Sequence, residues 1–468
     1  MKKPAKRKSE RPSKEIEPGR LLFSVSGARG IVGESLDTDI VKRLVLAFAS
    51  ILPAGPIVMG RDTRPSGEAL MQAAIGAVTA TGHDCIDLGI AATPTVEMVV
   101  ERHKAAGGVI VTASHNPIEW NALKFLDRRG IFIEKEAGDE LFNAFQADRF
   151  VLAGESSKGK VRSYSNAARD HIEAILSLDI IDASRIRDRR FTVVLDCING
   201  AGSVIAPDLL DALGARVIKL DCELDGNFHR DPEPRPENLS VLANRVKEEQ
   251  ADIGFAADPD ADRLALVDNL GNAISEEYTL ALGVDLVLAN NPGPVVVNVS
   301  TSSIIDRIAE SHGVQVSRTP VGEAHVVAKM LDCHAVIGGE GNGGIIYPEL
   351  HPGRDAMLSM ALILQLLTER KTSLRDQIDR YPPFVMHKEK APKTGDFSAK
   401  KISRLIQGLK PDKIDTRDGV KALFSEGWFH LRLSNTEGIV RIISEAATED
   451  KVQDLIKAAR RILKESFN

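Results

Sequence analysis

Aromatic residues are scarce in this chain of 468 residues, at 4%, so few flat side chains are available on which nucleic-acid bases could stack. No sign of charge is in excess either. Sixty Lys and Arg against 66 Asp and Glu leave a formal net charge of −6, which gives no general attraction to nucleic acid or to an anionic membrane. The four cysteines, Cys85, Cys197, Cys222 and Cys333, lie far apart in apolar surroundings without a Cys-x-x-Cys pair. No zinc site is implied, and the pattern fits buried thiols of a reducing, cytoplasmic compartment. Long apolar runs are missing as well. The longest, Ala356 to Leu367, is too short to span a bilayer and is flanked by Arg354, Asp355, Glu369 and Arg370, so it reads as a core helix. The first residues are rich in Lys, Arg, Pro and Glu and lack the apolar segment of a secretory signal; 1–19 reads as a disordered basic tail.

What the chain does have is length and a hydrophobic share of 43%, enough for three or four globular domains. One pattern of three strands with intervening helical stretches recurs three times. The first strands are Pro56-Ile57-Val58-Met59, Phe191 to Leu195 and Pro294 to Val297. Each runs into a polar turn, at Gly60-Arg61-Asp62-Thr63-Arg64, Asp196-Cys197-Ile198-Asn199-Gly200 and Asn298-Val299-Ser300-Thr301-Ser302. The second strands open after Gly82, Gly214 and Gly313, the expected break between a helix and a strand. The third strands, Gly108 to Val111, Asp252 to Phe255 and His334 to Ile337, run into three loops of different chemistry.

The first loop, Thr112-Ala113-Ser114-His115-Asn116-Pro117, displays a serine hydroxyl at the carboxyl end of a strand, where open α/β sheets bind ligands. Ser114 is a candidate nucleophile, although the same residues also suit an ordinary turn bonding its own backbone. The second, Asp258-Pro259-Asp260-Ala261-Asp262-Arg263, sets carboxylates at alternate positions, the donor set of a hard cation such as Mg²⁺. A solvated acidic turn would have to bear the repulsion among them. An EF-hand is excluded, because Arg263 stands where its glycine and Asn269 where its final glutamate belong. The third loop, Gly339-Glu340-Gly341-Asn342-Gly343-Gly344, fits Gly-x-Gly-x-x-Gly, but Ile345-Ile346-Tyr347-Pro348 is a poor helix start and a dinucleotide site is not expected.

After Tyr381-Pro382-Pro383-Phe384 the rhythm changes to a helical stretch, strands around Trp428 to Leu431 and Ile439 to Ile443, and a closing helix from about Asp450 to Lys464. The turn Arg432-Leu433-Ser434-Asn435-Thr436-Glu437-Gly438 can surround a phosphate held by Arg432 and Arg441, or can be a plain hairpin. The expected architecture is therefore α/β: three similar α/β domains with mixed sheets around a central cleft (20–158, 159–271 and 272–383), plus a C-terminal α+β domain (384–468).

With these four loops in order, and with Ser26-Gly27-Ala28-Arg29-Gly30 and Gly60 to Ser66 before them, the chain from about Arg20 onward resembles the α-D-phosphohexomutases. The resemblance implies that phosphorylated Ser114 donates its phosphoryl group to a sugar phosphate. The hexose 1,6-bisphosphate so formed turns around and rephosphorylates the serine, so that phosphate is exchanged between C1 and C6. It also implies Mg²⁺ on Asp258, Asp260, Asp262 and a phosphoserine oxygen, with Arg29 and Arg263 adding positive charge. Lys124 matches the family lysine that shuttles a proton at the reacting hydroxyl, a role aided where cationic neighbours lower its pKa. Glu340 and Asn342 would bind sugar hydroxyls, with His115 nearby. Arg432, Ser434, Asn435, Thr436 and Arg441 would hold the phosphate that is not reacting, on a mobile fourth domain.

The chain departs from the family at Asn342-Gly343-Gly344, where some bacterial members carry Ser-Gly-His or Ser-Ala-His, so no acid/base role for that histidine is carried over, and neither His115 nor His351 is assigned it. The implied partners are small-molecule sugar phosphates, acted on by a monomer or homodimer, with no nucleic acid and no membrane. The glycine-rich sugar loop resembles the phosphoglucosamine mutase branch, while Ser434-Asn435-Thr436 is also common in phosphomannomutase/phosphoglucomutase members. A serine-dependent metal phosphomonoesterase would use the same serine and aspartates but release phosphate to water, with less need of a fourth domain. A non-catalytic sugar-phosphate sensor would have no use for the intact serine, lysine and aspartates.

Overall fold

Three runs of branched residues become the centres of three sheets, because strands covered by helices on both faces must be apolar on both. The computed structural model describes residues 21–24, 27–434 and 438–467. The basic tail at 1–19, Ser26, Asn435 and Thr436 lie outside the described residues. In the first sheet, strand Ile57–Arg61 lies between Cys85–Ile90 and Gly107–Val111, parallel to both. In the second, Thr192–Asp196 lies between Arg216–Leu220 and Ile253–Ala257, again parallel to both. In the third, Val295–Asn298 lies between Val316–Thr319 and Ile337–Glu340 in the same way.

Each third strand then turns back into an antiparallel neighbour: Trp120–Leu126, Leu264–Val267 and Gly344–Tyr347. The sheets are thus mixed, and the three repeats share one strand order. The serine, aspartate and glycine-rich loops occupy the same reversal in each repeat. Gly344–Tyr347 being a strand removes the helix start on which a dinucleotide site depends.

Helix Ala356–Arg370 is capped by Asp355, whose carboxylate accepts from the backbone N–H groups of Met357 and Leu358. It is buried from Ala356 to Thr368, which the expected core helix requires. Its side chains join those of Glu277–Asn290 and of the second and third sheets in one apolar cluster, which also takes in Ala92 of the first repeat. The second and third repeats therefore share a core.

The last unit is a five-stranded antiparallel sheet with Val385–Pro392 at one edge and Lys413–Asp415 at the other. Helices Ala399–Gln407 and Glu449–Phe467 cover one face around Ile402, Phe429, Leu431 and Ile462. The architecture is three similar α/β domains followed by an α+β domain. Among the described residues no helix is long and apolar enough to cross a membrane.

Candidate active site

Ser114 sits just past strand Gly107–Val111 with φ 48°, a left-handed backbone that a non-glycine residue adopts only when its surroundings hold it there. Arg64 does much of that holding. It is fully buried and donates to the carbonyl oxygens of Ser114 (2.6 Å), Asn116 (2.7 Å) and Pro117 (2.7 Å). The Ser114 Oγ donates to Asp258 Oδ2 at 2.7 Å, so the hydroxyl of the first repeat meets the aspartate loop of the second. Arg29 reaches the same loop, donating to Asn116 Oδ1 at 2.9 Å. Burial and the neighbouring Arg263 and Arg29 guanidiniums hold the His115 imidazole well below its ordinary range.

Asp258, Asp260 and Asp262 are buried, and one oxygen from each can be chosen so that all lie within 4.8 Å of one another. Burial, reinforced by Asp262 and Asp260, pushes the Asp258 carboxyl well above its ordinary value. The Oδ1 atoms of Asp260 and Asp262 are buried with no hydrogen-bond partner among the described residues. An all-carboxylate set with unpartnered oxygens fits a hard divalent cation. The remaining oxygens are fixed: Asp260 Oδ2 accepts from Thr93 Oγ1 (2.6 Å), Asp262 Oδ2 from Arg354 Nη2 (2.6 Å).

Lys124 donates to Asp260 Oδ2 at 2.6 Å and approaches Asp262 at 3.5 Å. Burial would lower its pKa, but Asp260 and Asp262 raise it above the ordinary lysine range. Its immediate partners are carboxylates, and Arg354 is the cation that acts in the opposite direction.

Glu340 is more occupied than its sequence suggested. Oε1 accepts from Asn298 Nδ2 (2.8 Å) and Gly322 N (2.9 Å), and Oε2 from Arg354 Nη1 (3.1 Å) and, at 3.4 Å, Asn342 Nδ2. Asn342 Oδ1 is buried with no partner among the described residues. Across the cleft, Arg432 and Arg441 lie opposite each other on adjacent antiparallel strands, and Arg432 is oriented by Asp418 at 3.0 Å. The cleft, of about 720 Å³, is lined by Ser114, His115, Lys124, Glu340 and Asn342, by Arg29 and Arg263, and at its far side by Arg432, Ser434 and Arg441. The three aspartates are buried, do not line the cleft, and meet it through the contact of Asp258 with Ser114. Of the two histidines that could stand in for the missing family residue, His115 lines the cleft, whereas His351 bonds Glu101 and the Gly130 carbonyl outside this lining.

Several residues at the site were not singled out from sequence. Arg354 bridges Asp262, Glu340 and Glu323, joining the aspartate and glycine-rich loops. Lys388 donates to Glu276 (2.7 Å), Glu277 (3.1 Å) and the Gly341 carbonyl (3.0 Å), tying the fourth domain to the glycine-rich loop. Arg354 was noted only as a helix flank. Asp62 and Arg64 lay within a recognised motif, which was the one signal for them.

A serine over buried carboxylates, reached through a cleft that three repeated α/β domains and an α+β domain surround, is the arrangement of the phosphohexomutases. The profiles of phosphoglucomutase/phosphomannomutase α/β/α domains I, II and III match residues 20–151, 169–271 and 275–384, and that of the C-terminal domain matches 388–462. The chain belongs to the phosphoglucomutase/phosphomannomutase family. It is 37% identical over 455 residues to a phosphoglucomutase/phosphomannomutase of Thermococcus kodakarensis, covering 95% of this chain and 99% of that one. It is 36% identical over 438 residues to a protein of Methanopyrus kandleri named "Probable phosphoglucosamine mutase", covering 92% and 95%. A crystal structure of a family protein from Burkholderia thailandensis superposes with a TM-score of 0.84 at 26% identity, covering 95% of this chain and 97% of that one.

Proposed function

We propose that this phosphohexomutase exchanges phosphate between C1 and C6 of hexosamine and hexose phosphates through phospho-Ser114 and a hexose 1,6-bisphosphate, with glucosamine phosphates preferred. The observation that carries the reading is the 2.7 Å contact of Ser114 Oγ with Asp258, beneath a cleft whose far side presents Arg432 and Arg441. A hydrolase needs the first half of that arrangement. A mutase needs both, because the bisphosphate must be held by its idle phosphate while the other end reacts.

Asp258, Asp260 and Asp262 would hold Mg²⁺, which when bound neutralises charge on the transferring phosphoryl group. The chain's own residues do the rest. Arg29 and Arg263 hold charge against the phosphoryl oxygens, and Lys124 would carry a proton at the reacting hydroxyl. Asn342 offers its unpartnered Oδ1 to a sugar O–H or ammonium group. A hydroxyl donating to Glu340 would displace the longest of its contacts, that of Asn342 at 3.4 Å. Arg432, Ser434, Asn435, Thr436 and Arg441 would take the idle phosphate. Glucosamine and glucose differ at one polar group, so preference among substrates rests on single hydrogen bonds of this kind.

The test is ³¹P NMR of the protein with Mg²⁺, a trace of hexose 1,6-bisphosphate and, separately, the 6-phosphates of glucosamine, glucose and mannose. A sugar 1-phosphate signal, strongest with glucosamine and absent in Ser114→Ala, is expected. Inorganic phosphate accumulating alone would replace the mutase with a phosphomonoesterase.

A further inference from the structure

The three repeats share more than strand order. Each places one buried polar residue at the corner where its first strand ends: Asp62, Asp196 and Asn298. In all three, one side-chain oxygen accepts from the backbone N–H two residues on, at Arg64 (2.9 Å), Ile198 (2.8 Å) and Ser300 (2.8 Å). That Asx turn alone is ordinary loop chemistry.

The second atom of each side chain does something further. Asp62 Oδ2 accepts from Thr112 Oγ1 (2.6 Å) and Arg64 Nε (3.0 Å), and Arg64 grips the serine-loop carbonyls. Asp196 Oδ2 accepts from Arg230 Nε (2.7 Å), whose Nη2 donates to the carbonyl of Ala257 (2.7 Å), the residue before Asp258. Asn298 Nδ2 donates directly to Glu340 Oε1 at 2.8 Å.

The strand registers agree: Arg61 pairs with Val111, Asp196 with Ala256, and Val297 with Gly339. Continued by the same steps, Ser114, Asp258 and Asn342 each fall two residues beyond the partner of their corner residue. The change of residue type also follows from the target. Backbone carbonyls gripped through an arginine call for a carboxylate to hold the arginine, whereas Glu340 is itself a carboxylate and calls for an amide donor.

We infer that Asp62, Asp196 and Asn298 are positioning residues, each aiming the working loop of its own repeat: the serine, the metal carboxylates and the sugar-binding glutamate respectively. The roles of those loops rest on the function proposed above. The consequence is that damage at one corner stays with one property of the site.

Two variants keep the Asx-turn acceptor while altering the second atom. Asn298→Asp sets a carboxylate against Glu340, and Asp196→Asn replaces the charged hold on Arg230 with an amide. Calorimetric titration of each with Mn²⁺ and, separately, with glucose 6-phosphate reads binding without turnover. Asp196→Asn should weaken Mn²⁺ about tenfold, the usual effect of losing a residue behind a metal ligand, and leave glucose 6-phosphate within about twofold. Asn298→Asp should do the reverse, with about a tenfold loss for the sugar phosphate. Equal weakening of both probes in either variant, or no weakening, overturns the inference, since a general folding defect would not sort by repeat. A wild-type protein that binds both probes but turns nothing over would defeat the proposed function while leaving this crosswise comparison intact.

Discussion

Glu277 has a cation within reach and almost no water: it is 1% exposed, with Oε1 accepting from Lys388 and Oε2 from the Ser302 N–H at 2.9 Å. Burial wins over Lys388 and pushes the carboxyl up from 4.5 to about 7. The folded state therefore binds this proton more tightly than the unfolded chain, so the contribution to stability is complete below about pH 4.5 and is lost as pH rises through about 7. Glu277→Gln removes the titration while keeping the shape. Relative to that variant, the wild type should lose up to about 1.4 kcal/mol of unfolding free energy per pH unit across the window. Urea unfolding of both proteins at several pH values checks it. A difference independent of pH would mean that Glu277 ionises in the fold as it does in the open chain.

At the scale of elements, the reversal after each third strand is where the proposed function and the fold meet, and the glycine-rich loop shows how tightly such a reversal is seated. Gly343 has φ 88°, its carbonyl accepts from Leu264 N at 3.0 Å, and an added Cβ would lie 2.3 Å from the Leu264 oxygen. Gly343→Ala should therefore destabilise by about 1–3 kcal/mol and raise the KM for sugar phosphates several-fold, because the loop must lift off the strand that carries the aspartate loop. Unchanged thermal unfolding together with an unchanged KM would show that the loop is not seated there. The loops themselves were legible in the sequence, since an apolar strand running into Thr-Ala-Ser-His-Asn-Pro or Asp-Pro-Asp-Ala-Asp announces the element and a candidate chemistry at its end. Their partners were not legible. Arg354 is 92 residues from Asp262, Lys388 is 112 from Glu276, and Arg230, held by Asp196, donates to a carbonyl 27 residues away. Such pairings depend on sheet register and domain contact, which local periodicity does not encode. Lys124 shows the same limit from the other side: the sequence could single it out, but only the assembled site shows that Asp260 and Asp262 are its partners.

In the whole molecule two kinds of joint are visible. The first three domains are pinned through buried groups: Thr95 Oγ1 meets His171 Nδ1 at 2.9 Å, His171 Nε2 meets Asp355 Oδ2 at 2.8 Å, and Thr93 donates to Asp260. The second and third also share an apolar core. The fourth domain has an apolar core of its own and meets the third through polar contacts, among them Lys421 to the Val299 carbonyl (2.8 Å), Trp428 to Ser303 (3.0 Å), Val321 N to Asp418 (3.0 Å) and the triple donation of Lys388. Hydrogen bonds can be exchanged for water at small net cost, whereas a continuous core cannot be opened so cheaply. This asymmetry suits the proposed cycle, in which the fourth domain would loosen its hold on a phosphate while the serine and the carboxylates stay fixed. Lys388→Met should weaken that joint selectively. Amide exchange should quicken in Val385–Pro392 and around Gly341 and remain unchanged in Gly107–Val111 and Ile253–Ala257, and the KM for sugar phosphates should rise about tenfold. Lys388→Arg should restore much of both. If exchange instead quickens uniformly over all four domains, Lys388 supports the fold as a whole and the separate joint is wrong.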